Sequence, residues 1–344
     1  MKTTQLDQPR DTVAAAVEAM KSIVQDAYGP SPEDVLRLEE IEKPVARGDQ
    51  VLVRVKATGV GRDTWHVMAG LPYPIRLAGF GLRRPKYPNP GRNLAGTVEA
   101  VGSDVTGLEP GEEVFGIGNA SLAEYACAPA AKLAPKPTNL SFEEAAAVPV
   151  SGLTALQAVR DHGHVQAGHK VMVIGASGGV GSFAVQIAKA FGAEVTGVCS
   201  TAKVDMVEAL GADHVIDYTK DDVTDGEHRY DVILDIGGNR RLSHLRSGLT
   251  ARGTLAIVGG EGGGRWLGGS DRQLRALMLS PFVGQKLTTF VCSENEKDLF
   301  GLTALIEGGK VTPVIDRTYQ LSEAAAAIRY MQEGNTRGKV VINV

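Results

Sequence analysis

Residues 51–58 alternate, with Val51, Val53, Val55 and Ala57 on one face and Leu52, Arg54, Lys56 and Thr58 on the other. That period of two predicts a half-buried β-strand. Another strand is expected at 94–101, after Pro90-Gly91, and Pro110-Gly111 marks a turn before Glu113. A coherent strand pattern begins at Met20, and from there to about 145 many short strands alternate with Gly and Pro. This predicts a compact, barrel-like, mostly-β domain. From about 146 the rhythm becomes strand–helix–strand, with strands expected at 170–175, 194–199, 213–217, 231–236 and 253–258. Such alternation is the pattern of a parallel, doubly wound sheet. Residues 310–344 return to β character and are expected to pair back into the first domain. The expected organisation is therefore a weakly ordered extension at 1–19, a domain at 20–145 completed by about 300–344, and a second domain at 146–299.

The most informative stretch, residues 171–181, reads Val-Met-Val-Ile-Gly-Ala-Ser-Gly-Gly-Val-Gly. An apolar strand enters a glycine turn, and a helix follows with Ala184, Ile187, Ala188 and Phe191 on one face until Gly192. Missing side chains let a diphosphate approach the backbone, and the helix N-terminus offers it free N–H groups. Gly175, Ser177, Gly178, Gly179, Val180 and Gly181 are therefore candidate cofactor-binding residues. NAD-binding units place an acidic residue at the end of the next strand, on the ribose 2′-hydroxyl. Here that strand, Glu194-Val-Thr-Gly-Val-Cys199, is followed by Ser200, Thr201 and Lys203, with no carboxylate. Hydroxyls and a cation suit a 2′-phosphate, so the cofactor predicted is NADPH.

A chain of 344 residues accommodates two domains, and 43% apolar with 22% charged residues is ordinary for a soluble protein. A net charge of −4 gives no general attraction to nucleic acid or an anionic membrane. Cys127, Cys199 and Cys292 lie far apart, which points to a reducing compartment rather than a disulfide scaffold. The weakly polar stretch 145–159 is interrupted by Pro149, Ser151, Gly152 and Thr154, too short and too broken for a membrane span. With no signal-peptide pattern, a cytoplasmic location is expected. The loop 70–88 carries Arg76, Arg83, Arg84 and Lys86 and reads equally as a lid or a solvated excursion.

The chain resembles the medium-chain dehydrogenase/reductase superfamily, and more narrowly its zinc-independent quinone oxidoreductase (zeta-crystallin-like) branch. The resemblance covers roughly residues 20–344. It is carried by Gly91-Arg92-Asn93-Leu-Ala-Gly96 through Gly102, Pro110-Gly111-Glu-Glu-Val-Phe, Ala146-Ala-Val-Pro-Val-Ser-Gly-Leu-Thr154, the Gly175–Gly181 turn, Leu210-Gly-Ala-Asp-His-Val-Ile-Asp-Tyr218 and Gly338-Lys339-Val-Val. It implies an α/β protein in which a GroES-like, mostly-β catalytic domain stands beside a Rossmann domain, with the active site in the cleft between them. NADPH-dependent reduction in a homodimer is implied as well. Thr154 is placed near the nicotinamide and Tyr218 near the adenine. Gly238 and Asn239, and Val258, Gly259 and Gly260, end later strands at the sheet edge where such ligands lie. Lys339 is expected to reach a phosphate.

Alcohol dehydrogenases of this superfamily hold catalytic zinc with a Cys after the second strand, a His-Glu pair after the Pro-Gly turn and a later Cys. The corresponding residues here are Gly61-Arg62-Asp63-Thr64, Gly91-Arg92-Asn93 and Pro149-Val150-Ser151. Catalytic zinc needs about three protein ligands, and these positions lack the thiolates and the imidazole, so no metal is expected. Within the branch, Gly61 replaces a usual Asn, Asn93 a usual Asp, and Trp65 stands where a Tyr is frequent.

Without a Lewis acid, an isolated ketone is hard to reduce, whereas a quinone or enone spreads the arriving negative charge onto a distant oxygen. The expected reaction is hydride transfer from NADPH to a quinone or the conjugated C=C of an α,β-unsaturated carbonyl. Candidate substrate residues are Trp65 and Tyr73 as an apolar wall, with Asp63, Thr64 and the Tyr73 hydroxyl as polar partners. Two rivals are a zinc-free alcohol or carbonyl dehydrogenase and a non-catalytic NADPH-binding sensor. An RNA-binding role is disfavoured, because no basic stripe exists beyond Arg83-Arg84-Lys86.

Overall fold

Two large sheets carry the architecture. In the first, Ile315–Gln320, Lys339–Asn343, Gln50–Val60, Asn93–Val101, Glu113–Ile117 and Leu133–Pro135 lie in that order, and Tyr125–Pro129 pairs with Gln50–Val60 to make seven strands. In the second, the six-stranded order is His214–Asp217, Glu194–Cys199, Lys170–Ile174, Tyr230–Asp235, Leu249–Ile257 and Lys286–Thr289, every pair parallel. A two-stranded antiparallel ribbon, Ala19–Val24 with Arg37–Glu42, stands apart. This computed structural model describes residues 18–224, 226, 228–260 and 264–344. Most of the expected N-terminal extension, residues 1–17, lies outside the described residues, and Ala19 already begins a strand. The fold is thus a GroES-like, mostly-β unit beside a Rossmann-type parallel sheet.

Strand Gln50–Val60 is buried more deeply than its alternation predicted. Arg54 and Lys56 are exposed and Gln50 partly so, while Leu52 and Thr58 are buried along with the valines. It lies inside its sheet, with neighbours on both edges, and helix Phe142–Ala147 packs on its C-terminal half. Gly59 permits that approach, because a Cβ there would sit 2.3 Å from the Ala146 carbonyl oxygen. The parallel strands are apolar on both faces because both are covered. Val171, Val173 and Val195 pack with helix residues Phe183, Ala184 and Ile187, whereas Met172, Ile174, Ile233 and Leu255 fill a separate cluster on the other side.

The loop after Gly70 is pinned down. The Tyr28 hydroxyl lies 2.6 and 2.7 Å from the Phe80 and Gly81 carbonyl oxygens, and the Arg76 Nε–H donates to the Gly70 carbonyl at 2.8 Å. Its Tyr73 N–H reaches across to the Arg265 carbonyl at 3.0 Å. Among the described residues no helix is long and apolar enough to cross a membrane.

Candidate active site

The glycine turn folds as the sequence requires. Gly175 adopts φ +83°, and Gly178 opens helix Gly179–Ala190. A Cβ on Gly181 would lie 2.0 Å from the Gly175 carbonyl oxygen, so only glycine lets this helix start so close to the strand. In front of the turn, at the carboxyl edge of the parallel sheet, is a cavity of about 460 Å³. Ligands of doubly wound sheets bind at that edge.

Many of the expected cofactor residues line this cavity. They are Gly175, Ser177, Gly178, Gly179 and Val180 at the turn, Ser200, Lys203 and Tyr218 at one end, and Asn239 and Lys339 on the walls. Gly181 lies beneath the turn. Thr154 is also off the lining; its hydroxyl donates to the Val150 carbonyl at 2.7 Å, beside Cys292. Burial pushes the Cys292 thiol up to about 11, so it holds no thiolate at neutral pH. Gly238, Gly259 and Gly260 pack on backbone instead. A Cβ on Gly259 would lie 2.0 Å from the Ile236 carbonyl oxygen, and one on Gly238 2.6 Å from the Gly259 backbone. The Gly238 N–H donates to buried Asp235 at 3.2 Å, while the Val258 N–H donates to the Asp235 carbonyl at 3.0 Å. Arg272 pairs with that same buried carboxylate.

Thr201 differs from its expected place. Its hydroxyl donates to Asp217 at 2.5 Å, and Thr219 and Lys220 satisfy the rest of that carboxylate at 2.7 and 3.1 Å. The Thr201 hydrogen bond foremost, with those from Thr219 and Lys220, holds the Asp217 carboxyl well below the usual carboxylate range. Sequence reading missed this acid because it ends the neighbouring strand, at the level of Cys199. It offers no free oxygen to a ribose.

Lys339 is the sharpest feature of the site. Its residue is 2% exposed and its Nζ has no hydrogen-bond partner. A Cβ on Gly179 would lie 2.9 Å from its Cδ, and a Cβ on Gly61 would lie 2.9 Å from its Nζ and 2.4 Å from Asp63 Oδ1. The ammonium therefore sits between the glycine turn and the other wall of the cleft, where Asp63 also lines the cavity. Burial pulls the Lys339 amine below its ordinary value, and the Asp63 charge opposes that shift. Asp63 is itself positioned. Buried Asn93 donates from Nδ2 to Asp63 at 3.1 Å and to the Gly59 carbonyl at 3.1 Å, and its Oδ1 accepts from the Val150 N–H at 2.9 Å.

The remaining substrate candidates are not in the cavity. Trp65 packs against the cluster of Ile23, Met68 and Ile328, and its indole N–H donates to the Pro30 carbonyl at 3.3 Å. It is held there because helix Arg62–Ala69 turns that face toward the C-terminal helix Ala324–Gln332. Thr64 is buried and caps its own helix, accepting from the Gly61 N–H at 3.4 Å. Tyr73 makes an edge contact with Trp266, ring centroids 5.0 Å apart, where the 70–88 loop meets the Arg265 segment. Conversely, Arg62, Ser151 and Arg240 line the cavity without having been singled out by pattern. Lone polar residues beside loops carry no periodic signal.

Among the described residues no group of three or more His, Cys, Asp or Glu side chains is arranged to hold a metal ion. Arg92, in the Pro-Gly segment, instead pairs with Glu294 at 2.5 Å, and Lys132 reaches the same carboxylate at 2.8 Å.

The alcohol dehydrogenase GroES-like domain matches residues 47–138, and the zinc-binding dehydrogenase family matches residues 210–342. The chain is 34% identical to a 2-methylene-furan-3-one reductase of Solanum lycopersicum, covering 90% of this chain and 76% of that one. It is 33% identical to a chloroplastic NADPH-dependent alkenal/one oxidoreductase of Arabidopsis thaliana, covering 96% and 81%. The quinone oxidoreductase structure from Coxiella burnetii superposes with a TM-score of 0.82 at 28% identity, covering 95% of this chain and all of that one. With the glycine turn, the cleft and these relatives together, the chain belongs to the medium-chain dehydrogenase/reductase superfamily, as an oxidoreductase of its quinone oxidoreductase branch.

Proposed function

We propose that this protein is a zinc-independent, NADPH-dependent reductase of conjugated carbonyl compounds, acting on a quinone or the C=C of an enone. The observation that carries the reading is the buried Lys339 ammonium, unpartnered and facing a cleft floored by a glycine turn. A buried cation without a hydrogen-bond partner is costly even with the Asp63 charge nearby, and an anion entering the cleft relieves that cost. A dinucleotide diphosphate fits, because the Gly178–Gly179 backbone and the N-terminus of the following helix favour the same charge.

When bound, NADPH supplies the hydride. Gly178, Gly179 and Lys339 hold its diphosphate, and Ser200 and Tyr218 stand at the adenine end. NADPH is favoured over NADH because Asp217, the acid that ends the strand beside Cys199, is saturated by its neighbours. On the substrate side Asp63, fixed by Asn93, is a polar group of the cleft wall. The zinc-free reading rests on Gly61, Arg92 and Ser151, none of which supplies a thiolate or an imidazole. Conjugated acceptors need the least help from such a site.

The test is NADPH oxidation with a 1,4-quinone and a simple enone in EDTA, with products identified. Turnover giving hydroquinone or a saturated ketone is expected. An allylic alcohol would instead favour a carbonyl dehydrogenase, and tight NADPH binding without turnover a sensor. A homodimer is the assembly expected, and light scattering checks it.

A further inference from the structure

Two cationic side chains line the adenine end of the cleft, and they differ in what they have left to give. Lys203 Nζ donates to the Gly334 carbonyl at 3.1 Å and the Thr336 carbonyl at 2.9 Å. Nearby, Arg337 donates to the Ala202 carbonyl at 2.6 Å, so the two segments are stitched together. An ammonium has three donors, and two of those of Lys203 are already committed to backbone. Its position is that of a strut between the turn after the second strand and the 334–337 segment.

Arg240 is placed differently. It follows strand Tyr230–Asp235, whereas Tyr218 follows strand His214–Asp217. Between them lie Lys170–Ile174 and Glu194–Cys199, so the two strands are three spacings apart in the sheet. At roughly 4.8 Å each, this is about 14 Å. Even so, the Arg240 guanidinium lies 6.0 Å from the Tyr218 ring centroid. The loop 236–240 and the extended Arg240 side chain together therefore cover that gap, across the carboxyl ends of the two intervening strands and over the crevice. Both residues line the cavity, together with Ser200. Among the described residues no carboxylate pairs with Arg240. A half-buried guanidinium stretched over a binding crevice, with its whole donor fork uncommitted, is a receptor for a phosphate, which it can hold in bidentate fashion.

We propose that Arg240, rather than Lys203, is the side chain that reads the 2′-phosphate of the dinucleotide; this rests on the NADPH reading above. Tyr218 supports the guanidinium from below, and Ser200 adds a hydroxyl. Lys203 acts indirectly, by holding the 334–337 segment against the end of the cleft.

The experiment measures dissociation constants for NADPH and NADH by fluorescence titration in wild type, Arg240→Leu, Arg240→Lys and Lys203→Ala. Thermal unfolding of each unliganded variant checks that it is folded. Arg240→Leu is expected to weaken NADPH by about 10- to 100-fold, the range of charge-assisted hydrogen bonds, with NADH changed less than about threefold. Arg240→Lys is expected to fall between, and Lys203→Ala to weaken both cofactors by a similar factor. If Arg240→Leu weakens both cofactors equally, the guanidinium serves the adenine and the proposal is overturned. Loss of NADPH preference in Lys203→Ala alone overturns it also, in favour of Lys203. A wild-type protein that binds the two cofactors equally overturns the NADPH reading and this assignment with it.

Discussion

Replacing Lys339 by Met should raise the stability of the unliganded protein and lower its affinity for NADPH, two effects of opposite sign from one atom. The side chain is 2% exposed and its Nζ has no partner, so the unliganded fold carries a desolvated ammonium. An unsatisfied buried polar group costs about 1–3 kcal/mol, and a charged one more. Methionine keeps much of the stem and removes that cost. The pH dependence follows from burial, which pulls the amine below its ordinary value. Above the folded-state pKa and below about 10.4, the unfolded chain binds the extra proton, so wild-type stability rises with pH in that window. Below the window the penalty is fully present, and Lys339→Met should abolish the slope. For the cofactor, losing one charge-assisted contact of about 2 kcal/mol weakens binding roughly 30-fold. At a concentration 100 times the wild-type dissociation constant, NADPH stabilises wild type by about 2.7 kcal/mol, and the variant by only about 0.9 kcal/mol. Thermal unfolding with and without NADPH, repeated across pH, reads all three quantities. A variant less stable than wild type without cofactor would show that Lys339 is a structural tie, and an unchanged NADPH shift would remove it from the anion site.

Asn93→Asp sets a second carboxylate against Asp63, across what is now a 3.1 Å hydrogen bond. The pair's pKa rises, so the folded state holds the extra proton and stability should fall as pH climbs from about 4 toward neutrality, which urea unfolding at several pH values would reveal. Trp65→Phe removes the indole bond to Pro30 and should cost about 0.5–1.5 kcal/mol while leaving kcat unchanged; a tenfold fall in kcat would return Trp65 to the substrate wall. Tyr73→Phe deletes a hydroxyl outside the cavity lining and should leave turnover within about twofold, and any larger loss in a steady-state assay would return that hydroxyl to the substrate's polar partners.

The parts of this molecule legible in the sequence are those with a period or a backbone requirement. The glycine turn was readable because Gly175 needs positive φ and Gly181 has no room for a side chain. The strand–helix rhythm was readable because the parallel strands are apolar on both faces. Individual site residues were read less well, for two reasons. Trp65, Thr64 and Thr201 carry polar or aromatic groups near the site in sequence, but local hydrogen bonds and packing take them up. Arg240 meets Tyr218 only because the sheet order brings the carboxyl ends of their two strands to one crevice, and sequence spacing holds no trace of that order.

The departures at positions 61 and 93 read differently once the cleft is built, because they belong to one arrangement with Asp63 and Lys339. A side chain at Gly61 would meet both the Lys339 ammonium and the Asp63 carboxylate, so glycine there is what allows the two charges to share the wall. With a carboxylate at 63, an acid at 93 would face it directly, and the amide resolves this by donating to Asp63 while accepting from Val150. Position 93 thus links the strand Asn93–Val101 to the start of helix Pro149–Gln157, tying one wall of the cleft to the element that leads into the parallel sheet. These positions together hold a buried lysine, a positioned carboxylate and the amide that keeps them compatible. On the function proposed above, a site of that composition would attract a diphosphate and orient a substrate, and would leave the acceptor's own conjugation to stabilise the charge that arrives.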